Sequence, residues 1–241
     1  MTHPINENCW DDLKALTPLI PDVETRVLLA GPRGTGKSRF ADDLATEQGR
    51  PCYGIVVTDE TNYADLIGCY HPDGNGGTVW VDGIGIRAWR AGAILRIDEV
   101  DRIGKDGETT LHSILDDPEH ASLTLPNGER VTPASGFTCI GTTNAMPDDL
   151  PTALKDRFDN PIVVSIPHPE LLARLADYGD AVRGAYLSPD SDPYPYVTAR
   201  EMLSFLRKKD RLEHEQAARI VWGHRSDEVL DHLRLGSRDG S

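Results

Sequence analysis

Short apolar runs alternate with helical periodicity over the first two thirds of the chain, and helical periodicity alone occupies the rest. Arg26-Val-Leu-Leu-Ala30 predicts a buried strand, and from Lys37 onward Phe40, Ala41, Leu44 and Ala45 recur at helical spacing. Gly49-Arg-Pro51 breaks that helix. Residues 52–58, 93–98, 137–143 and 161–166 give four further apolar strands, with a helix at 110–115 carrying Leu111, Ile114 and Leu115 on one face. Five mostly apolar strands separated by helices predict an α/β fold, a parallel five-stranded sheet flanked by helices.

Two pieces interrupt the alternation. The first contains a short helix at 62–68, a stretch at 71–77 that reads only as a loop, a short strand at 78–81 and a helix at 84–91 carrying Trp89. The second is a hairpin around Asn127-Gly128, a two-residue turn that requires positive φ at both positions. A leader precedes the sheet, with Trp10, Leu13 and Leu16 on one helical face and Pro18 and Pro21 ending it. After Pro167 Leu171, Leu172 and Leu175 begin a helix, and a proline- and aspartate-rich connection occupies 188–195. Thr198-Ala-Arg-Glu201 then reads as a capping box opening a helix with Met202, Phe205 and Leu206. Helical patterns at 217–222 and 229–235 follow, with a frayed tail at 236–241. The expected organisation is a leader at 1–24, a core at 25–167 with an insertion at about 70–92 and a hairpin at about 122–132, and a small C-terminal α-helical domain at 168–241.

Composition changes this picture little. Against 25 Lys and Arg stand 39 Asp and Glu, a formal charge of −14, which disfavours direct non-specific binding to nucleic acid. No apolar run approaches the ~20 residues that span a bilayer, and the N-terminal stretch lacks the layout of a signal peptide, so a cytoplasmic protein without membrane insertion is expected. Cys9, Cys52, Cys69 and Cys139 form no C-x-x-C pair, and reduced buried thiols are expected.

The chemistry concentrates at the first strand-to-helix turn. Gly31-Pro32-Arg33-Gly34-Thr35-Gly36-Lys37-Ser38 fits G-x-x-x-x-G-K-[ST] in full, in the strand-then-helix context of a P-loop. Glycines let the backbone approach an anion, and the helix dipole meets it. Lys37 supplies a charge for the β- and γ-phosphates, and the Ser38 hydroxyl is placed to ligate Mg²⁺. The apolar strand at 93–98 ends in Asp98-Glu99. Asp98 would share the Mg²⁺ shell, and Glu99 would act as the base that orients the attacking water. Arg96 within this strand either snorkels or pairs.

With Asn144 closing Gly-Thr-Thr-Asn and Arg157-Phe158 shortly after, these motifs resemble those of the AAA+ ATPases over nearly the whole chain. The resemblance implies ATP and Mg²⁺ as cofactors. It implies that Asn144 helps position the water, that Arg157 reaches into a neighbouring subunit's site, and that Arg200, at the start of the lid helix, contacts phosphates. Otherwise Asn144 caps a helix or makes a turn, and Arg157 pairs with Asp156 or Asp159. The insertions, with Ala64-Asp-Leu-Ile-Gly68, look like the MoxR-like, dynein-related group. In that group they project toward a pore or partner, so Trp80 and Trp89 either touch a substrate or adaptor or pack in the core.

The implied function is a ring-forming ATPase, a homo-oligomer expected to be a hexamer, coupling hydrolysis to remodelling of a partner protein. No added domain is visible, so a separate client or adaptor is expected. A nucleic-acid-associated motor or loader, and a nucleotide-gated scaffold with little turnover, are the competing readings on this fold.

Overall fold

The computed structural model describes residues 5–23, 25–187 and 196–236. The proline- and aspartate-rich connection at 188–195 and the tail at 237–241 lie outside the described residues.

In chain order the elements begin with helix α1 (Cys9–Leu16), strand β1 (Arg26–Ala30), α2 (Lys37–Gln48), β2 (Cys52–Val56) and α3 (Tyr63–Leu66). Then come β3 (Gly68–Pro72), β4 (Thr78–Asp82), α4 (Ile84–Ala91), β5 (Ile94–Asp98), α5 (Lys105–Ile114), β6 (Leu123–Thr124) and β7 (Arg130–Val131). The series continues with β8 (Thr138–Thr143), α6 (Thr152–Lys155), β9 (Asn160–Val163), α7 (Pro169–Ala173), α8 (Gly179–Leu187), α9 (Ala199–Lys209), α10 (His214–Trp222) and α11 (Ser226–Gly236).

The main sheet has the order β2-β5-β8-β1-β9, and the pairs β2–β5, β5–β8 and β8–β1 are parallel. The α/β class expected from the apolar runs is therefore the class observed. Strand β8 lies between β1 and β5, with Ala30 opposite Thr143 and Ile97 opposite Gly141. The carboxyl ends of these three strands thus open on one edge, where ligands of open α/β sheets bind. Leu95, Ile97, Val100, Leu111, Ile114, Trp89, Phe137 and Phe158 are buried in one continuous core.

By contacts the chain divides into two compact units. One comprises residues 12–30 and 37–162, which hold most of the sheet. The other comprises residues 1–11, 31–36 and 163–241. Its helical core is built on Phe205, which meets Trp222 at 4.8 Å and His214 at 5.2 Å between ring centroids. The expected capping box is present: Thr198 accepts the Glu201 N–H while Glu201 accepts the Thr198 N–H.

Three local expectations need correction, and one open alternative is decided. Residues 71–72 are strand, not loop, because β3 and β4 pair antiparallel with Tyr70 opposite Trp80. The true turn is short and is closed by Asp73, whose carboxylate accepts the N–H groups of Asn75 and Gly77 at 2.8 and 2.9 Å. At the second hairpin Gly128 has φ of 85° but Asn127 does not enter the positive region. There the Gly128 N–H bonds the Leu125 carbonyl and Leu125 pairs with Glu129, so Pro126-Asn127-Gly128 is a three-residue loop ending in a left-handed glycine. Of the two readings left open for Trp89, the core one holds: it is wholly buried against Phe137. Trp80 is half-buried, edge-on to Tyr70, and bonds Asp82. Finally, Cys9 and Cys139 are buried but Cys52 and Cys69 only partly, and the Cys69 thiol meets His71 at 3.3 Å.

One ion pair fastens the strand that leads into the glycine loop. The Asp159 carboxylate accepts the backbone N–H groups of Thr25 and Arg26 at 3.1 and 2.9 Å and two guanidinium bonds from Arg26. Arg26 also donates to the Leu115 carbonyl at 3.2 Å. Removing the acid would leave a half-buried cation and two N–H groups unmatched, a cost of about 2–4 kcal/mol. Asp159→Ala is expected to lower unfolding free energy by that amount in urea denaturation; a loss under about 0.5 kcal/mol would show the pair to be an ordinary surface contact.

Candidate functional site

The acidic end of β5 is where side chains from three elements converge. Asp98 is buried, and its Oδ1 accepts the Ser38 hydroxyl of α2 at 2.6 Å and the Thr142 hydroxyl of β8 at 2.9 Å. Its Oδ2 accepts Arg96 Nε at 2.9 Å. Asp98 faces α2 because the register puts Ile97 in the core, and alternation along a strand turns the next side chain to the other side.

Arg96 was ambiguous from sequence, and it pairs. Its guanidinium bridges Asp98 and Asp42, lying across β2 at Gly54, where a Cβ would meet Nη2 at 2.7 Å. A glycine directly opposite in the register leaves room for an arginine in an otherwise apolar strand. Burial alone would lower its pKa, but the charges of Asp98 and Asp42 more than offset that and raise it. Next to Asp42, the Cys52 thiol is pushed up to about 11 by burial and by the Asp42 charge.

Lys37 is buried, and its Nζ lies 3.4 Å from the Asn144 side-chain oxygen. That contact places Asn144 beside the Lys37 ammonium and not at a helix cap. The neighbouring Thr143 hydroxyl donates to Asp101 at 2.6 Å and accepts the Ala145 N–H at 2.9 Å, which fixes the chain at the tip of β8.

Glu99 has φ of 61° and ψ of 46°, the only non-glycine at positive φ among the described residues. An L-residue pays on the order of 1–3 kcal/mol to sit there, and such strain gathers at functional positions. The twist ends β5 abruptly and turns Glu99 away from the direction that strand alternation would give it. Its carboxylate is partly exposed and contacts Arg102 at 3.1 Å.

In the other unit the glycine loop is braced from two sides. Gly31, Gly34 and Gly36 have φ of 135°, 80° and 110°, conformations closed to most side chains. The His168 N–H bonds the Thr35 carbonyl at 2.9 Å, and the Thr35 hydroxyl bonds the Pro32 carbonyl at 3.2 Å. A Cβ on Gly36 would touch His168 and Trp10 at 3.5 Å, and those two rings stand edge to face at 4.6 Å. Trp10 is anchored by its Nε1 to the Ile166 carbonyl at 2.9 Å. On the other side the Tyr186 hydroxyl donates to the Arg33 carbonyl at 2.7 Å. The Arg33 side chain is exposed, while Pro32 and Gly34 are half-buried.

The structure therefore brings Lys37, Ser38, Asp98 and Asn144 together. Arg157 lies apart from them, after α6, and pairs with Asp116 at 3.1 Å, not with Asp156 or with Asp159, which holds Arg26. Arg200 is exposed in the first turn of α9. Sequence reasoning missed Thr142, Tyr186 and the Trp10–His168 brace. A polar pair, Thr142-Thr143, at the end of an apolar strand was the available signal for the first; nothing local marks Tyr186, which is set by tertiary contact.

The donor set suits a small hard cation held together with phosphates. One hydroxyl and one carboxylate at 2.6 Å leave most of an octahedral shell to phosphate and water, as Mg²⁺ prefers.

Residues 26–158, more than half of the chain, match the family model described as the AAA domain, dynein-related subfamily. The chain is 42% identical over 118 residues to protein NorQ of Paracoccus denitrificans, covering 49% of this chain and 43% of that protein. To the denitrification regulatory protein NirQ of Stutzerimonas stutzeri it is 36% identical over 118 residues, again 49% of this chain and 42% of that one. The chain thus spans less than half the length of these two relatives. Among solved structures a putative ATPase from Cytophaga hutchinsonii aligns with a TM-score of 0.54 at 18% identity, over 83% of this chain and 57% of that one, a likeness of fold. Family match and site geometry agree: the chain belongs to the dynein-related subfamily of AAA domains, within the MoxR-like AAA+ ATPases.

Proposed function

We propose that the protein binds and hydrolyses ATP with Mg²⁺ at this site, assembles as a ring, with six subunits as the expected number, and uses turnover to remodel or activate a separate partner protein. The observation that carries the reading is the convergence of Ser38 and Thr142 on Asp98, beside the Lys37–Asn144 contact. That arrangement has no use in a solvated turn. The expected division into an ATPase core at 25–167 and a lid at 168–241 is part of the same proposal. So is action in the cytoplasm; no helix among the described residues is long and apolar enough to cross a membrane.

The proposed chemistry needs positioning more than covalent catalysis. Backbone N–H groups of the glycine loop cradle the phosphates, and Lys37 neutralises the β- and γ-oxygens. Ser38 and Asp98 would hold Mg²⁺, which supplies charge neutralisation to the phosphate oxygens. Glu99, turned out of the strand by its left-handed backbone, takes a proton from the attacking water, and Asn144 holds that water in line. Arg157 supplies charge to a neighbouring subunit's γ-phosphate, exchanging its Asp116 partner for it. The likeness to NirQ, a denitrification regulatory protein, supports a role exerted on other proteins.

Glu99→Gln is expected to bind ATP within about twofold of the parent while phosphate release falls by about 10²–10⁴, whereas Lys37→Ala loses binding itself. Equal turnover in the Glu99→Gln protein would remove that residue from the role. Arg157→Ala is expected to bind nucleotide normally and lose about 10³-fold in turnover at concentrations where the parent is assembled. Specific activity of the parent should also fall on dilution, and a flat dilution curve would contradict the shared site.

A further inference from the structure

The phosphate loop and the first turn of α9 are joined through one buried hydroxyl. Tyr186, on α8, is 3% exposed. Its hydroxyl donates to the Arg33 carbonyl in the loop at 2.7 Å and accepts the N–H of Ala199, the first residue of α9, at 3.4 Å. Gly34 allows this approach, since a Cβ there would meet the hydroxyl at 2.9 Å and the Thr198 Cβ at 3.7 Å. Burial raises the phenol's pKa, so it keeps its proton and stays a donor at any working pH.

The helix start is itself rigid. Thr198 and Glu201 cap each other, so the backbone on both sides of Arg200 is fixed, and the Tyr186 hydroxyl takes a further N–H that the helix cannot satisfy internally. A cation in the first turn of a helix is unfavourable unless an anion lies close. Arg200 occupies that position, exposed, one residue beyond the N–H that the tyrosine holds.

We propose that Tyr186 is a positioning residue that couples the conformation of the phosphate loop to the placement of Arg200, so that a triphosphate settling in the loop and the approach of this arginine favour each other. The inference rests on the ATP reading of the loop. A shift of the loop at Arg33 must either carry the start of α9 with it or break a buried hydrogen bond. Leaving the Arg33 carbonyl and the Ala199 N–H unmatched is costly, which makes the two move as one.

The test is a double-mutant cycle on equilibrium binding of a fluorescent, non-hydrolysable ATP analogue with Mg²⁺, using the full chain, Tyr186→Phe, Arg200→Ala and the double variant. Each single change is expected to weaken binding by about fivefold to tenfold, and the double by no more than about the worse single. Losses that multiply in the double variant, or an unchanged affinity in Tyr186→Phe, would overturn the coupling. A merely structural tyrosine would give the multiplicative result. A 3-fluorotyrosine placed at 186 gives a readout that deletes nothing: its fluorine resonance should shift when the analogue is added to the parent and not in the Arg200→Ala background, and a shift of equal size in both would also overturn the proposal. Should the parent fail to bind the analogue at all, the ATP reading falls and this inference with it; binding by the parent with an additive cycle removes the coupling alone.

Discussion

The carboxylate of Asp98 is the constraint on which the site depends. It accepts hydroxyls from α2 and β8 on one oxygen and a guanidinium on the other, so three neighbouring elements are registered through a single buried charge. A buried acid without such partners would be expelled or neutralised. Here Arg96 balances its charge, and the hydroxyls set its rotamer, leaving Oδ1 turned toward Ser38. The glycine at position 54 of the edge strand is what admits the arginine, so the identity of a residue on β2 bears on a carboxylate at the tip of β5.

The second constraint is the break immediately after it. Glu99 leaves the strand in a conformation that an L-residue holds only under compulsion, and the short helical turn at Val100–Arg102 follows at once. Strand alternation would send the side chains of adjacent acids to opposite faces. The left-handed residue changes that geometry, and of the two neighbouring carboxylates one is held in the protein and one is left partly open to water.

Much of this was legible in the chain. Each apolar run became a sheet strand, the inner strands β1, β5 and β8 because burial on both faces of a parallel sheet demands unbroken hydrophobicity, and the phosphate motif marks its own strand-turn-helix context. The motif also led to the stretch where the Ser38 hydroxyl meets Asp98, next to Lys37. Legibility failed where tertiary contact decides. Strand β3, the partner of the expected strand β4, was hidden because polar and glycine residues mask a strand whose pairing is antiparallel and half-solvated. The turn at Pro126-Asn127-Gly128 was misjudged by one residue, since Asn-Gly tolerates two registers and the proline, fixed in φ, selected the longer loop. Trp89 on an inserted helix could serve a partner or the core, and its complete burial is a matter of packing. Tyr186 had no local signature at all, being a tyrosine on a helix whose hydroxyl finds a distant carbonyl.

The glycine loop and the buried acid belong to a chain whose formal charge is −14. If Asp98 is the organising charge, then it, and not the loop alone, must set how strongly Mg²⁺ improves nucleotide binding. Equilibrium titration of the protein with ATP in the presence and absence of Mg²⁺, for the parent and for Asp98→Asn, measures this directly. The account predicts a gain in affinity with Mg²⁺ in the parent that is largely lost in the variant; an equal gain in both would contradict it.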